Sequence, residues 1–301
     1  MKQYDILIIG AGPAGLTAGL YSARNGLKVG IISKDIGGTA NSILLLENWP
    51  GFSGSGSELM KKFYEQLKKY DVDFIMEEVS LIEKTGKGFI VKTKNKELEC
   101  KALIITTGTE RKKLKIPGEI ELLGKGVSYC ATCDSFFFKN KIVAVIGGSD
   151  CAATSALALS DIAKKVYLIY RGEKLRCESI NEERIKQKKN IEVFYNSIPL
   201  NISGKQKVEE IEIKNKDKNK KIKVDGIFIE IGSAPLAEFT KNINLKVDNE
   251  KFIEVNENMK TSVDGIYAAG DVTNFKLKQV VVATSQGAIA AKAVYDWISK
   301  K

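Results

Sequence analysis

The amino-acid sequence predicts an α/β fold, and two observations carry that prediction. An apolar strand, Asp5–Ile9, runs into the glycine-rich turn 10–15, after which a helical pattern leads to a second strand, Val29–Ile32. The same order returns in mid-chain, where strand Lys141–Ile146 precedes another glycine turn, an Ala-rich helix and a strand at Val166–Tyr170. Such β-α-β units are typical of doubly wound, parallel sheets. The sequence therefore predicts two Rossmann-like dinucleotide-binding domains.

The segments that follow each unit are assigned from alternation and charge. Residues 75–106 alternate as β-strands do, and the chain after Asn190 is typical of β-hairpins. Lys214–Lys223 is almost entirely polar and is predicted to be a solvated turn between strands Glu209–Ile213 and Val224–Glu230.

The last segment predicts a strand at Ile266–Ala268 and an amphipathic helix from about Val280 to Trp297. No linker separates the first third of the chain from the last third. We therefore expect the second unit to be inserted into the first. The predicted domains are 1–113 with 241–301, and 114–240 between them.

Composition excludes several classes of mechanism. The 301 residues include 47 Lys+Arg, 37 Asp+Glu, five Cys and no His, for a net charge of +10. Without imidazole there is no Ser-His-Asp triad, Cys-His pair or His-ligated zinc, so proton transfer falls to carboxylates, Lys, Tyr or thiols. No apolar run reaches the roughly 18 residues of a membrane helix, and no signal-peptide pattern opens the chain. These features favour a cytoplasmic protein with reduced, catalytic or buried thiols.

The first glycine turn has the spacing of a dinucleotide site. Gly10 permits a tight turn, Gly12 lets the backbone approach a pyrophosphate, and Gly15 lets helix and strand pack closely. The N-terminus of the next helix adds N–H donors and a positive dipole end. The nearest carboxylate after the second strand is Asp35.

The Cys130-Ala131-Thr132-Cys133 motif indicates redox chemistry. Two thiols at this spacing can form a reversible disulfide, often with a lowered thiol pKa. A zinc site would need other cysteines to converge, and no metal is expected. Asp134 can exchange protons with the thiols, or it can cap a helix or turn. We assign no role to the other cysteines, Cys100, Cys151 and Cys177.

A second constellation lies near the C-terminus. Gly270-Asp271 follows an apolar strand and offers a carboxylate to a sugar-alcohol hydroxyl. The helix that starts near Gln279-Val280 can face an electron-rich ring with its N-terminus.

Together these motifs resemble the low-molecular-weight thioredoxin reductases, and the resemblance runs essentially end to end. The order and spacing of the motifs are more specific than any one of them. The stretches that carry it are GAGPAG (10–15), GG (37–38), ENWPG (47–51), TTGTERKKLKIPGE (106–119), GVSYCATCD (126–134), IVAVIGG (142–148) and GIYAAGDV (265–272).

The resemblance implies an FAD domain built from both chain ends, an inserted pyridine-nucleotide-type domain with the CxxC motif, and a homodimer. Cys133 would lie beside the flavin, Cys130 would attack thioredoxin, and Asp134 would be the acid. Asn48 would lie near the flavin and Asp271 on its ribitol side. The implied FAD contacts are Gly10, Gly12, Pro13, Ala14, Gly15, Asp35, Gly38, Thr39, Asn48, Gly108, Gly270, Asp271, Gln279 and Val280.

Departures from the family pattern are concentrated in the second unit. NADPH-using members carry GxGxxA and then HRRxxxR, whereas this chain has GGSDCA at 147–152 and YRGEKLR at 170–176. Ser149 replaces a glycine, Tyr170 replaces the His, and one of the paired arginines is lost. Asp150 and Glu173 add negative charge near the expected phosphates. The remnant nucleotide site consists of Gly147, Ser149, Arg171 and Arg176.

Three hypotheses follow. The first is a thioredoxin reductase that uses NADPH poorly and takes electrons from reduced ferredoxin, as in the ferredoxin-dependent flavin thioredoxin reductases; the +10 charge would attract an acidic donor. The alternative is an NADPH- or NADH-dependent thioredoxin reductase with an altered site. A third is a basic nucleic-acid-binding protein, but no RNP, KH, zinc-knuckle or helix-turn-helix pattern supports it. We expect no nucleic-acid partner and no membrane partner.

Overall fold

The chain folds as two compact units. The computed structural model describes residues 2–43, 46–216, 218–235 and 237–300, without the side chains of Thr132, Cys133, Ser233, Glu238 and Lys241. The first unit is Met1–Glu110 with Ala234–Lys301, and the second is Arg111–Ser233. The predicted α/β fold with an inserted second unit is confirmed. The predicted boundaries, after residues 113 and 240, lie a few residues C-terminal to the observed ones, which follow Glu110 and Ser233.

The first part of the first unit alternates strands with two helices. Its elements are β1 (Lys2–Ile9), α1 (Pro13–Arg24), β2 (Val29–Ile32), a 3-10 helix (Gly38–Ser42), β3 (Leu46–Trp49), β4 (Phe52–Gly54), α2 (Gly56–Leu67), β5 (Val72–Ile75), β6 (Val79–Thr85), β7 (Gly88–Thr93) and β8 (Glu97–Ile105), with β9 (Thr109–Arg111) at the boundary.

The second unit and the return of the chain follow. The second unit contains β10 (Val127–Ser128), α3 (Ala131–Asp134), a 3-10 helix (Ser135–Phe138), β11 (Ile142–Ile146), α4 (Asp150–Ser160), β12 (Lys165–Ile169), α5 (Ser179–Gln187), β13 (Ile191–Phe194), β14 (Ser197–Ser203), β15 (Glu210–Asn215), β16 (Lys218–Lys223) and β17 (Gly226–Ile229). After β18 (Ser233–Pro235) come a 3-10 helix (Glu238–Ile243), β19 (Ile266–Ala268) and α6 (Val280–Ile298).

The main sheet of the first unit has the strand order β5-β2-β1-β8-β7-β6. Strand β1 lies between β2 and β8 and is parallel to both. Strand β8 is long enough to pair with β7 near its start and with β19 near its end. Because β19 comes from the C-terminal segment, the two ends of the chain build one sheet.

Helices α1 and α6 pack closely in this unit. A Cβ on Gly287 of α6 would lie 2.2 Å from the carbonyl oxygen of Ala14 in α1, so only glycine permits this approach. The predicted helix from Val280 to Trp297 is confirmed and ends at Ile298.

The second unit contains a wholly parallel sheet with the order β10-β17-β11-β12-β13. Its central strands β11 and β17 are fully apolar, as expected for strands that are covered on both faces. The chain runs from β11 through α4 to β12 on one side, and β17 pairs with β11 on the other. The carboxyl ends of β11 and β17 therefore form the switch point at which such sheets bind ligands.

One sequence prediction in this unit is wrong. Lys214–Lys223 is not a solvated turn, since most of it belongs to β15 and β16, which pair in an antiparallel ladder with β14. Ile222 faces Ile211 across the ladder and is buried. The predicted partner strand at 224–230 instead joins the parallel sheet as β17. Charge concealed the strand because four of its six residues are lysines, all of them exposed, and only Ile222 is buried.

No helix among the described residues is both long enough and apolar enough to span a bilayer.

Candidate functional site

The glycine turn of the first unit connects β1 to α1. Gly12 is the N-cap of α1, and Pro13 occupies the first helical position, where its missing N–H costs nothing. No side chain caps this helix in the described part of the chain. The N–H groups of its first turn are therefore directed at the space before the helix, as a bound diphosphate requires.

The three glycines of this turn are needed for different reasons. A Cβ on Gly15 would lie 1.9 Å from the Gly10 carbonyl oxygen, and Gly10 has a φ of +107° next to the Thr106 carbonyl. The fold itself therefore requires both. A Cβ on Gly12 would meet nothing closer than the Gly37 carbonyl oxygen at 3.9 Å. The protein leaves open the space that a side chain would fill, and this cradle fits the pyrophosphate of FAD.

The Gly270-Asp271 turn adds buried polar groups to the first unit. The Gly270 N–H donates to Gln286 Oε1 at 2.7 Å. Gln286 is buried, and its Nε2 has no hydrogen-bond partner among the described residues. Burial raises the pKa of the Asp271 carboxyl, although Lys278 opposes this effect. An orphaned amide donor and a desolvated carboxylate fit a hydroxyl-rich chain such as ribitol.

Gln286 was missed by the sequence analysis. Its signal was a polar side chain among alanines and glycines in an apolar helix, which is a position that needs a partner.

The structure brings together two predicted flavin contacts from distant parts of the sequence. Asn48 Nδ2 donates to Gln279 Oε1 at 2.9 Å. Gln279 is the N-cap of α6, and Val280 is its first residue. The positive end of α6 thus lies beside the Asn48 amide, as expected of a group that faces an electron-rich ring.

The other predicted FAD contacts lie in loops of the first unit. The Asp35 carboxylate accepts the Gly38 N–H at 2.9 Å and stabilises the turn into the 3-10 helix that contains Thr39. Asp35 follows β2, yet its side chain is exposed. Gly108 has a φ of +65° and open space around it. Their contacts with FAD stay predictions.

The cysteine motif lies in the second unit. Cys130 directly precedes α3 and is disulfide-bonded. Its N–H donates to Ser128 Oγ at 2.9 Å, which fixes the backbone at the start of the motif. The side chain of Cys133 lies outside the described residues. Asp134 precedes the 3-10 helix Ser135–Phe138, and its carboxylate does not cap that helix. The capping interpretation of Asp134 therefore gains no support.

The glycine turn of the second unit differs from that of the first at the position equivalent to Gly12. Gly147 is required, because a Cβ there would lie 2.2 Å from the Glu230 carbonyl oxygen. Ser149 has φ −92° and ψ −179°, close to the −75° and −171° of Gly12. The serine backbone therefore follows the same path. Its side chain projects where the first unit leaves open space, and its hydroxyl does not cap α4.

Two departures from the family motif, Tyr170 and Gly172, pack against each other. A Cβ on Gly148 would lie 2.3 Å from the Tyr170 ring, and a Cβ on Gly172 would lie 2.7 Å from it. The buried ring of Tyr170 thus lies against both glycines. Any side chain at position 172, including the arginine of the family motif, would have to displace this ring.

The two arginines of the remnant site are exposed. The Arg176 N–H donates to the Gly148 carbonyl at 2.6 Å, which joins the arginine loop to the glycine turn. Neither Arg171 nor Arg176 forms an ion pair within the described ranges. Both guanidinium groups are available to a phosphate or to ribose hydroxyls.

Asp150 has a structural role that the sequence did not indicate. Its carboxylate accepts the Glu178 N–H at 2.7 Å and Asn181 Nδ2 at 3.3 Å, at the start of α5. These hydrogen bonds join the glycine turn to the start of α5. The expectation that Asp150 adds negative charge near a diphosphate stays a prediction.

The remaining cysteines are free. Cys100 is buried, and burial raises the pKa of its thiol. Burial also raises the pKa values of Cys151 and Cys177. Thiols of this kind are poor nucleophiles. Among the described residues there is no cluster of three or more potential metal ligands.

Two Rossmann-like units, an open glycine cradle and a disulfide-bonded CxxC cysteine define the class of dinucleotide-binding disulfide oxidoreductases. The family model "Pyridine nucleotide-disulphide oxidoreductase" matches residues 4–287. The chain belongs to this family and, by its full-length relatives, to the low-molecular-weight thioredoxin reductases within it.

The relatives cover nearly the whole chain. Thioredoxin reductase of Bacillus subtilis is 38% identical over 304 residues, which is 99% of this chain and 96% of that protein. The crystal structure of Lactococcus lactis thioredoxin reductase (FR conformation) is 36% identical with a TM-score of 0.97, covering 99% of this chain and 100% of the other. A ferredoxin-flavin thioredoxin reductase from Clostridium acetobutylicum is 32% identical with a TM-score of 0.54, covering 100% of both chains.

Proposed function

We propose that this protein is an FAD-dependent thioredoxin reductase that passes two electrons to the disulfide of thioredoxin through Cys130 and Cys133. The observation that carries the proposal is the disulfide-bonded Cys130 at the head of a CxxC motif inside a second dinucleotide-type unit. The likeness to thioredoxin reductases over the full chain supports it.

In this proposal, the chain supplies the thiols and their proton. Reduction of the motif disulfide gives two thiols, and Cys130 as thiolate attacks a sulfur of the thioredoxin disulfide to form a mixed disulfide. The Cys133 thiolate then attacks the Cys130 sulfur of this mixed disulfide and displaces the thioredoxin sulfur as a thiolate, which restores the motif disulfide and releases reduced thioredoxin. Asp134 holds the proton that a thiolate gains or loses, since the chain contains no histidine.

The first unit would hold FAD. When bound, FAD would supply the two-electron redox chemistry. Gly12 and the start of α1 would bind its pyrophosphate, and Asp271 and Gln286 would bind hydroxyl groups of its ribitol chain. Asn48 and Gln279 would orient its ring.

The electron donor that we propose is a pyridine nucleotide bound by the second unit. Exposed Arg171 and Arg176, without ion pairs among the described residues, suit a 2′-phosphate or a ribose. The relatives at 36–38% identity carry the plain name thioredoxin reductase. They favour this donor over the ferredoxin that the altered motifs led us to expect.

Reduced ferredoxin is the second candidate, and Ser149 is the observation that favours it. In the glycine turn of the second unit, its side chain occupies the position equivalent to the one that Gly12 leaves open in the first unit. The net charge of +10 would attract an acidic donor. The TM-score of 0.54 adds nothing for or against it, because thioredoxin reductase from Gloeobacter violaceus scores a similar 0.57.

Anaerobic mixing tests the proposal. The flavoprotein is mixed with NADPH, NADH or reduced ferredoxin, and flavin bleaching and thioredoxin thiols are followed in time. We expect rapid bleaching by micromolar nucleotide and thiol formation in thioredoxin. Bleaching by ferredoxin alone would transfer the donor role to ferredoxin.

A Cys130→Ser variant controls for the route through the thiols. It should keep its flavin and its bleaching by the donor but lose thioredoxin reduction. Full activity in this variant would refute the role of the motif. The predicted homodimer and cytoplasmic location stay predictions; sedimentation of the flavoprotein tests the first.

A further inference from the structure

A partly buried ion pair lies at the switch point of the parallel sheet in the second unit. Glu230 immediately follows β17 and is 3% exposed. Its Oε2 accepts Arg111 Nη1 at 2.6 Å, and its Oε1 accepts Ser155 Oγ at 3.1 Å. Nothing in the sequence motifs pointed to this cluster.

The pair is adjacent to the glycine turn. The Glu230 N–H donates to the Ile146 carbonyl at 2.8 Å, and the Glu230 carbonyl is the group that forces glycine at position 147. Glu230 thus lies at the carboxyl ends of the paired strands β11 and β17. A dinucleotide crosses a doubly wound sheet at this place.

Arg111 brings its charge to the start of α4. Ser155 of α4 donates to Glu230 Oε1, which places the ion pair beside this helix. The pKa of the Cys151 thiol at the helix start is raised first by burial and also by Glu230, and it is lowered by Arg111. A cation at a helix N-terminus is disfavoured by the helix dipole. The Glu230 carboxylate neutralises this positive charge. It thereby substitutes for the anionic ligand that such a helix end binds.

We propose that Glu230 determines the affinity of the second unit for pyridine nucleotide, because its ion pair with Arg111 competes with the nucleotide diphosphate for the guanidinium. The inference rests on the proposed function, in which this unit takes the nucleotide. A diphosphate that recruits Arg111 must leave a buried carboxylate without its partner, which is costly. Glu230 therefore weakens binding of NADPH and NADH alike, because both carry the diphosphate.

Binding of NADP⁺ and NAD⁺ to the purified flavoprotein, measured by titration calorimetry, tests this role without relying on turnover. Glu230→Gln keeps the shape and the hydrogen bond from Ser155 but removes the charge. We expect the Kd for both nucleotides to fall about tenfold, the size of one charge-assisted hydrogen bond. Adding Arg111→Gln to this variant should abolish the gain, since the freed guanidinium is its source.

Glu192→Gln is the matched control. Glu192 lies on β13 of the same unit and pairs with Lys165 at 2.9 Å on the surface, so its replacement changes net charge equally. It should leave both Kd values unchanged. Unaltered or weaker binding by Glu230→Gln would overturn the inference, as would an equal gain in Glu192→Gln.

The two proposals fail separately. If NADPH bleaches the wild-type flavin but Glu230→Gln binds no more tightly, the inference is wrong and the donor stands. If NADPH leaves the wild-type flavin oxidised while Glu230→Gln gains binding, the inference stands and the donor proposal is wrong.

Discussion

At the scale of single residues, identical glycines serve the fold and the ligand separately. Gly10 and Gly15 are fixed by backbone oxygens that a Cβ would strike, whereas Gly12 faces space that the protein does not fill. A motif read from sequence treats the three as equivalent. The structure separates them by what surrounds each Cα.

This difference predicts opposite behaviour for two alanine variants. Gly12→Ala should fold normally, because its backbone is extended and its Cβ meets no atom within 3.4 Å, but it should lose most of its FAD. Gly15→Ala should lose about 1–3 kcal/mol of stability or more, because its Cβ would overlap the Gly10 carbonyl. Flavin absorbance per chain and urea unfolding of the apoproteins measure the two effects. A stable, FAD-replete Gly12→Ala would refute the cradle.

At the scale of elements, the β15–β16 hairpin shows how a strand can be concealed by charge. Glu210 and Lys221 form an ion pair at 3.2 Å across the ladder, and Lys220 Nζ lies 4.5 Å from the centre of the Phe194 ring. These contacts hold lysines on a pleated surface. In β16 the only buried side chain is that of Ile222, so it is the one apolar signal left in this strand.

The hairpin predicts a contrast between neighbouring positions. Ile222→Ala should cost about 2–5 kcal/mol, as expected for a large aliphatic side chain removed from a core. Lys221→Ala should cost less than about 1 kcal/mol, because its ion pair is exposed to solvent. Urea unfolding followed by circular dichroism compares them. Small and equal losses of stability in the two variants would instead support the interpretation of residues 214–223 as a solvated loop.

At the scale of the whole molecule, buried weak acids predict a loss of stability in alkali. Burial raises the pKa of the Cys100 thiol, and burial, with Asp264 and Asp296 adding to it, raises the pKa of Tyr267 to about 12. Each group stays protonated in the fold after its unfolded counterpart has ionised. The unfolded chain therefore binds fewer protons, and stability falls as pH rises above the unfolded pKa, about 8.5 for a thiol and about 10 for tyrosine.

Cys100 should contribute a slope that approaches about 1.4 kcal/mol per pH unit once the pH is about one unit above 8.5. Trp49 and Trp297 both lie in the first unit with Cys100, so their fluorescence during urea unfolding reports on the relevant unit. Cys100→Ala should be less stable than wild type at pH 7.5 but should lose less stability between pH 8.5 and 9.5. Parallel pH profiles for the two proteins would contradict this assignment.

The sequence by itself determined the α/β fold, the two glycine turns and the CxxC motif. Each is a local pattern of strand, turn and helix whose physical requirement is written in consecutive residues. Thus strands Val29–Ile32 and Ile266–Ala268 were predicted with their observed bounds. The tertiary structure alone decided which distant groups meet. Arg111 and Glu230 are joined across 119 positions, and Asn48 and Gln279 across 231. Burial of a carboxylate beside a guanidinium depends on packing around both, and no local pattern encodes it.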